Sequence, residues 1–186
     1  MRTPAIAGSI ALGLILAACE ATPTAAPDVP RVSASSTAPA ERVEFEGFIH
    51  FCESSPAEVF RVTPGGTVHI QDATNRNRWI TDSPLVAGDS ENVLDANINL
   101  DNDATGKAHL TVTVRPDAVN GTWEAKQQLD IVGGVPSGSR GVGRGTGALR
   151  GMTIKYVVEG PIPGDNVCNP DLPIAPVSGV IVTLGD

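Results

Sequence analysis

The segment Trp123-Glu-Ala-Lys-Gln-Gln-Leu-Asp-Ile131 alternates between two kinds of side chain. Its odd-numbered positions are mostly apolar, and its even-numbered positions are charged or polar. Because successive side chains of a β-strand point to opposite faces, this period of two predicts a strand with one buried face. The same alternation recurs over residues 108–115 and 152–159, and near the start over 43–51.

Turn-forming residues separate these predicted strands, as in Pro64-Gly-Gly66, Asn120-Gly121 and Gly133-Gly134. No window of about eleven or more residues carries the apolar stripe of an amphipathic helix. Residues 42–186 have the size of one domain. We therefore predict one all-β domain over 42–186 with about seven to nine strands. The predicted fold is a single antiparallel β-barrel, with a β-sandwich as the alternative.

A glycine-rich strand is predicted at 141–151, where glycine occupies positions 141, 143, 145, 147 and 151. Glycine within a strand marks a bulge, a barrel corner or a close approach of the backbone. A nucleotide-binding loop is not favoured, because neither a strand–glycine turn–helix pattern nor a Gly-Lys-Ser/Thr motif is present. The segment resembles the glycine-rich strand of allene oxide cyclase and dirigent-type eight-stranded barrels. This resemblance implies a barrel, but no active-site position outside the segment can be matched.

The first residues predict export from the cytoplasm. Arg2 precedes an apolar core at 6–15, about half of the ~20 residues that a membrane-spanning helix needs, so residues 1–18 read as a cleaved signal peptide. Leu16-Ala17-Ala18-Cys19 resembles the lipobox of bacterial lipoproteins. The resemblance implies cleavage before Cys19 and a diacylglyceryl group on its thiol. The mature protein is then extracytoplasmic and lipid-anchored to the cell membrane or outer membrane; an ordinary secretion signal is the alternative.

Residues 19–41 contain the predicted lipid-bearing cysteine and a stretch rich in Ala, Pro, Ser and Thr without aromatic residues. Such a composition cannot bury a core, so we expect a disordered or polyproline-like tether. Two acyl chains suffice for stable anchoring.

The cysteine count predicts a disulfide. With Cys19 assigned to lipid, Cys52 and Cys168 remain, and an oxidising compartment favours pairing them. The bridge would stabilise the domain by up to about 4.8 kcal/mol through chain entropy; two reduced thiols are the alternative. Because Cys52 ends the first predicted strand and Cys168 precedes the last, the bridge would join the ends of the domain, which favours a closed barrel.

The formal net charge of −8 argues against a nucleic-acid partner. The same sign argues against a domain that lies flat on anionic lipid.

One acidic turn matches part of a calcium-binding loop. Asp101, Asp103, Thr105 and Gly106 follow the first half of the pattern, but Val112 stands where a bidentate glutamate is needed. A plain hairpin turn is favoured, with Ca²⁺ as the alternative and no other cofactor expected.

A second candidate site is the group Arg76, Arg78 and Trp79, which could bind a carboxylated or sugar-like ligand by forked hydrogen bonds and stacking. An ordinary loop, with Trp79 beginning the next strand, is the alternative. The three histidines, His50, His69 and His109, fall on the polar sides of different predicted strands, which favours solvent exposure over a shared metal site.

No catalytic residue is predicted, because the chain lacks a Gly-x-Ser-x-Gly elbow and a disulfide would leave no free thiol. The leading hypothesis is a tethered, non-enzymatic envelope module. It would bind a small apolar or saccharide ligand, or an envelope protein, in the barrel mouth or on its surface. A cyclase or isomerase-type barrel enzyme and a purely structural envelope component are the alternatives.

Overall fold

The computed structural model describes residues 40–55 and 59–183. The predicted signal peptide, Cys19 and all but the end of the predicted tether lie outside the described residues. The first strand begins at Glu41, one position before the predicted start of the domain.

Nine β-strands and one 3₁₀ turn make up the described residues. Their bounds are β1 Glu41–Ser54, β2 Val59–Val62, β3 Thr67–Thr81, β4 Gly88–Asn99, β5 Thr105–Pro116, β6 Trp123–Val132, β7 Val135–Gly145, the 3₁₀ turn Gly147–Leu149, β8 Met152–Glu159 and β9 Ile174–Thr183.

The strands form one antiparallel sheet that closes on itself. From β3 to β9 each strand pairs with the next, and β1 lies between β9 and β3. Eight strands therefore form a closed barrel, which confirms the predicted barrel and not the sandwich. The ninth strand, β2, pairs with β3 beyond the end of β1: the β1–β3 register ends at Ser54↔Asn75, and the β2–β3 register begins at Val59↔Gln71.

The period-two pattern of the sequence separates the inner from the outer face. In β6 the inward positions, which are buried except for the half-buried Gln127, alternate with exposed ones from Trp123 to Val132. The strands β5 and β8 show the same alternation.

Side chains fill the interior of the barrel. Trp79 and Trp123 are almost completely buried, and the ring of Trp79 meets that of Tyr156 edge to face, with centroids 5.2 Å apart. This geometry is favourable for aromatic pairs. A Cβ at Gly141 would overlap the Tyr156 ring, and one at Gly143 would lie 2.8 Å from the Cβ of Ala125. The glycines of β7 thus give the close approach that lets a large aromatic ring fit inside.

Several polar groups inside the barrel are hydrogen-bonded to each other, whereas the buried Oδ1 atoms of Asn77 and Asn92 have no hydrogen-bond partner among the described residues. The Tyr156 hydroxyl donates to Gln127 Oε1 at 2.9 Å, and Gln127 Nε2 donates to Ser139 Oγ at 2.6 Å. The indole of Trp79 donates to Ser90 Oγ at 3.0 Å. Burial raises the pKa of Tyr156 above its ordinary value, so its hydroxyl remains a hydrogen-bond donor.

The long connection between β8 and β9, residues 160–173, covers the outer side of the end of β1. Asn166 organises it: its amide nitrogen donates to the carbonyl oxygens of Phe51 and Pro173, and its Oδ1 accepts the backbone N–H of Cys168. Cys52 and Cys168 lie at disulfide distance, with Cα atoms 4.8 Å apart, in agreement with the predicted pairing.

His50 lies beneath this connection and is only 5% exposed. Its Nδ1 accepts the backbone N–H of Val167 at 3.2 Å. The solvent-facing position expected from the strand pattern is therefore wrong for His50, because a distant segment covers the outer face of β1 at this point.

Candidate functional site

The outer wall of the barrel carries extended concave surfaces in the described part of the chain. One of these surfaces is a groove of about 710 Å³ that crosses β1, β9, β8 and β7. Since the interior is packed, a groove of this kind is a place where a ligand can bind without opening the core.

Small and apolar side chains of the two middle strands form the floor of the groove. Ser178 and Val180 of β9 and Val157 of β8 line it. A Cβ at Gly179 would lie 2.6 Å from the ring of Phe45, so glycine at this position lets Phe45 pack directly beneath the floor.

The two sides of the groove carry opposite net charges. Three carboxylates, Glu44 and Glu46 of β1 and Asp82, lie on one side together with Arg42, and Arg140 of β7 and Lys155 of β8 lie on the other. Asp82 Oδ1 accepts the backbone N–H of Glu46 at 3.0 Å, which fixes the acidic side. Such an arrangement orients a polar or charged ligand by electrostatic complementarity.

The structure does not bring Arg76, Arg78 and Trp79 together. All three belong to the strand β3, not to a loop, and alternation sends Trp79 into the core and both arginines outward. The Arg78 guanidinium hydrogen-bonds to Asp89 at 3.0 Å and to Asp117, which raises its pKa and lowers that of Asp117. Each arginine already has a carboxylate partner, since Arg76 lies 3.8 Å from Glu53.

Asp101, Asp103 and Thr105 lie at the β4–β5 hairpin. Asp103 and its neighbour Ala104 have φ angles of 47° and 49°, the left-handed conformation of a tight turn. The carbonyl oxygens of these two residues accept the backbone N–H groups of Gly133 and Gly134 in the next hairpin.

The histidines do not converge. His50 is covered by the β8–β9 connection, His69 contacts Asn97 on β3–β4, and His109 is exposed on β5. Residues 40–55 and 59–183 contain no group of three or more His, Cys, Asp or Glu side chains placed to hold a metal ion.

Sequence reasoning missed the groove because it depends on which strands are neighbours. The outward positions of β7, β8 and β9 are visible in the alternation, but their side-by-side arrangement requires the strand order and register. Within a single strand, the sequence indicates the groove only by an outward valine that has a cation or a small polar residue two positions away, such as Val142 with Arg140.

No protein-family model, no curated protein and no solved structure matches this chain. Within the described residues, no helix has the length and the apolar character that crossing a bilayer requires.

Proposed function

We propose that this protein is a lipid-anchored envelope module that binds its ligand or partner on the outer wall of a filled barrel, without catalysis. The observation that carries the proposal is the charged groove of about 710 Å³ across β1, β9, β8 and β7. Volumes of this size are typical of ligand sites. The packed interior moves the expected site from the barrel mouth to the outside.

Support for the extracytoplasmic address comes from the cysteines. The lipobox-like sequence assigns Cys19 to lipid, and Cys52 and Cys168 lie at disulfide distance. A disulfide-linked pair suits an oxidising compartment. The tether predicted over 19–41 would hold the barrel away from the membrane surface, where its outer wall is accessible.

Support for binding without catalysis comes from the placement of the polar groups. The interior cluster of Tyr156, Gln127 and Ser139 is internally hydrogen-bonded, and Tyr156 is only 3% exposed. These groups hold the core together and are closed to a substrate. The groove instead offers charges on opposite sides of an apolar floor, which is an arrangement for recognition.

The proposal is tested by introducing a bulky side chain on the floor of the groove, which blocks it. Ser178 is exposed and points outward, so Ser178→Trp fills the groove without entering the core. Thr113→Trp places the same side chain on the outward face of β5 and serves as the control. In all three proteins Cys19 is replaced by alanine, so that the proposed lipid anchor does not itself carry the protein into the pellet, and binding is measured by co-sedimentation with envelope fragments from the cells that produce the protein.

Wild-type protein and the Thr113→Trp variant should co-sediment equally, and Ser178→Trp should bind at least tenfold more weakly. Equal binding of both variants contradicts the groove as the site. Failure of the wild type to bind would favour the purely structural alternative.

A further inference from the structure

We propose that four cations around Val142 bind a carboxylated polysaccharide chain. The four are Lys126, Arg140, Arg144 and Lys155, and together with Val142 they are called the cationic cross. This inference rests on the proposed function and deepens it, because the cationic cross adjoins the groove through Arg140 and Lys155 and specifies the chemistry of the ligand.

The strand register creates the cross. Val142 of β7 pairs with Lys126 of β6 on one side and with Lys155 of β8 on the other. Arg140 and Arg144 lie two residues before and after Val142 and point to the same outer face. Neighbouring strands are about 4.8 Å apart and residues rise about 3.3 Å along a strand, so the backbone positions span roughly 10 Å by 13 Å.

All five side chains of the cationic cross are exposed, and Val142 at its centre is 54% exposed. Among the described residues, none of the four cations lies within ion-pair distance of a carboxylate. In contrast, four cations of the β3–β5 wall have such partners: Arg76, Arg78, Lys107 and Arg115.

The local charge is strongly positive although the chain is net negative. Register pairing places Glu124 opposite Arg144, while the other positions at the corners of the cross, Gln128, Thr153 and Val157, are uncharged. Each lysine is a diagonal neighbour of both arginines, at the ~7–8 Å typical of such pairs. Like charges at this separation repel each other. A bound polyanion would attract all four cations and so offset their mutual repulsion.

The surroundings of the cationic cross fit a sugar chain. Guanidinium groups bind carboxylates through two parallel hydrogen bonds. The exposed Val142 and Val157 offer apolar contact to sugar rings, and Thr153 and Gln128 offer hydrogen-bonding groups. A second groove of about 710 Å³ lies beyond Arg140, shares Arg140 and Val157 with the first and is also lined by Asp130 and Glu159, so a linear ligand has space on both sides while its carboxylates bind at the cationic cross.

Charge density distinguishes a carboxylated polysaccharide from other polyanions. The net charge of −8 repels densely charged chains such as polyphosphate or nucleic acid beyond the patch itself. A polysaccharide with one carboxylate on each sugar ring separates its charges by uncharged ring atoms, so its charge density is lower and matches four cations separated by uncharged positions.

The test measures binding of polygalacturonate to the full mature protein by calorimetry. Arg140→Gln/Arg144→Gln removes two cations of the cross, and Arg61→Gln/Arg115→Gln removes two exposed cations elsewhere as the matched control. We expect the first variant to bind at least tenfold more weakly and the control to change Kd less than twofold. Raising NaCl from about 50 to 500 mM should weaken wild-type binding strongly. Equal melting temperatures establish that both variants fold.

Several outcomes would overturn the inference. These are equal loss in the two variants, equal binding of neutral dextran, and tighter binding of polyphosphate or of vesicles containing anionic lipid. If Ser178→Trp abolishes binding to envelope fragments while Arg140→Gln/Arg144→Gln binds polygalacturonate like wild type, the proposed function stands and the cationic cross fails. If wild-type protein does not bind envelope fragments at all, the proposed function itself fails.

Discussion

The protonation of His50 depends on the chain segment that buries it. Its imidazole is buried beneath residues 160–173, and its Nδ1 accepts the N–H of Val167, so the neutral form is the one that fits. Burial lowers the pKa of His50 below its ordinary value of 6.5.

The lowered pKa predicts a loss of stability in mild acid. The unfolded chain binds a proton at His50 more readily than the folded one, so this contribution to stability is complete above about pH 6.5 and is lost as pH falls through the folded-state pKa. The free energy of unfolding in urea should therefore decrease between pH 7.5 and 5. The decrease should be smaller in His50→Gln, whose amide oxygen can still accept from Val167. His109→Gln, at an exposed position, should behave like wild type; equal pH dependence in His50→Gln would refute the assignment.

Cys19 carries the prediction about the anchor. Cys19→Ala removes the thiol that the lipobox resemblance assigns to lipid, so the protein should move from the membrane fraction to the soluble extracytoplasmic fraction. Ser33→Ala, in the predicted tether, is the control and should remain with the membrane. Immunoblots of separated fractions decide the outcome, and a Cys19→Ala protein still bound to membranes would contradict the lipid assignment.

The burial of a side chain was predictable where it depends only on the local alternation of apolar and polar residues. Trp123 and Leu129 are buried and Glu124 and Lys126 exposed, as the pattern of β6 predicts. For His50 the pattern alone was misleading, because its cover comes from a segment more than a hundred residues away. The salt bridges of Arg78 were not predictable from sequence spacing, because its partners Asp89 and Asp117 lie on other segments of the chain.

At the scale of the element, β7 shows why glycine recurs at alternate positions. Its inward glycines leave room for Tyr156 of β8, while its outward positions carry Arg140, Val142 and Arg144 of the cationic cross. One strand thus combines close packing inside with a charged surface outside.

Gly141→Ala should destabilise the domain. The added methyl group would overlap the Tyr156 ring and displace the hydroxyl that donates to Gln127. Overpacking of this kind costs about 1–3 kcal/mol. Gly160→Ala is the control, since its Cβ would come no closer than 3.5 Å to a neighbour. Urea unfolding measures the effect, and a Gly141→Ala protein as stable as wild type would show that the ring relocates freely.

The glycine-rich segment was identified from the sequence, but its role was left open among a bulge, a corner and a close approach. Choosing among these required knowing that Tyr156 lies opposite Gly141, which is a property of the β7–β8 register. The same register places Lys155 beside Val142, so the candidate site could not be assembled from the strands taken separately.

For the whole molecule, closure depends on β1, which pairs with β9 at the other end of the chain and with β3. The strand alternation predicted an all-β fold but could not decide between barrel and sandwich. The positions of Cys52 and Cys168 favoured closure, because they join the first strand to the segment before the last. The structure confirms that β1 and β9 are neighbours.

Because the disulfide joins distant parts of the chain, we expect it to affect both the stability of the domain and its folding rate. Pairing β1 with β9 closes a very long loop, and a bridge between Cys52 and Cys168 makes that closure less costly. Reduction should lower the free energy of unfolding by about 2–5 kcal/mol and slow refolding several-fold. Stopped-flow fluorescence of Trp79 and Trp123, with and without reductant, provides the measurement. The double variant Cys52→Ala/Cys168→Ala should be insensitive to reductant; two free thiols in unreduced wild type would contradict the pairing.

The closure of the sheet also affects how copies of the protein interact at high local concentration. Lipid-anchored proteins meet one another in two dimensions, where local concentrations are high and exposed strand edges invite chain-to-chain pairing. In the described residues, the sheet is continuous around the barrel, and β2, the strand that pairs on one side alone, is four residues long. If the proposed lipid anchor brings many such barrels together on one membrane, the strand edge that the described residues offer for pairing between copies is therefore short.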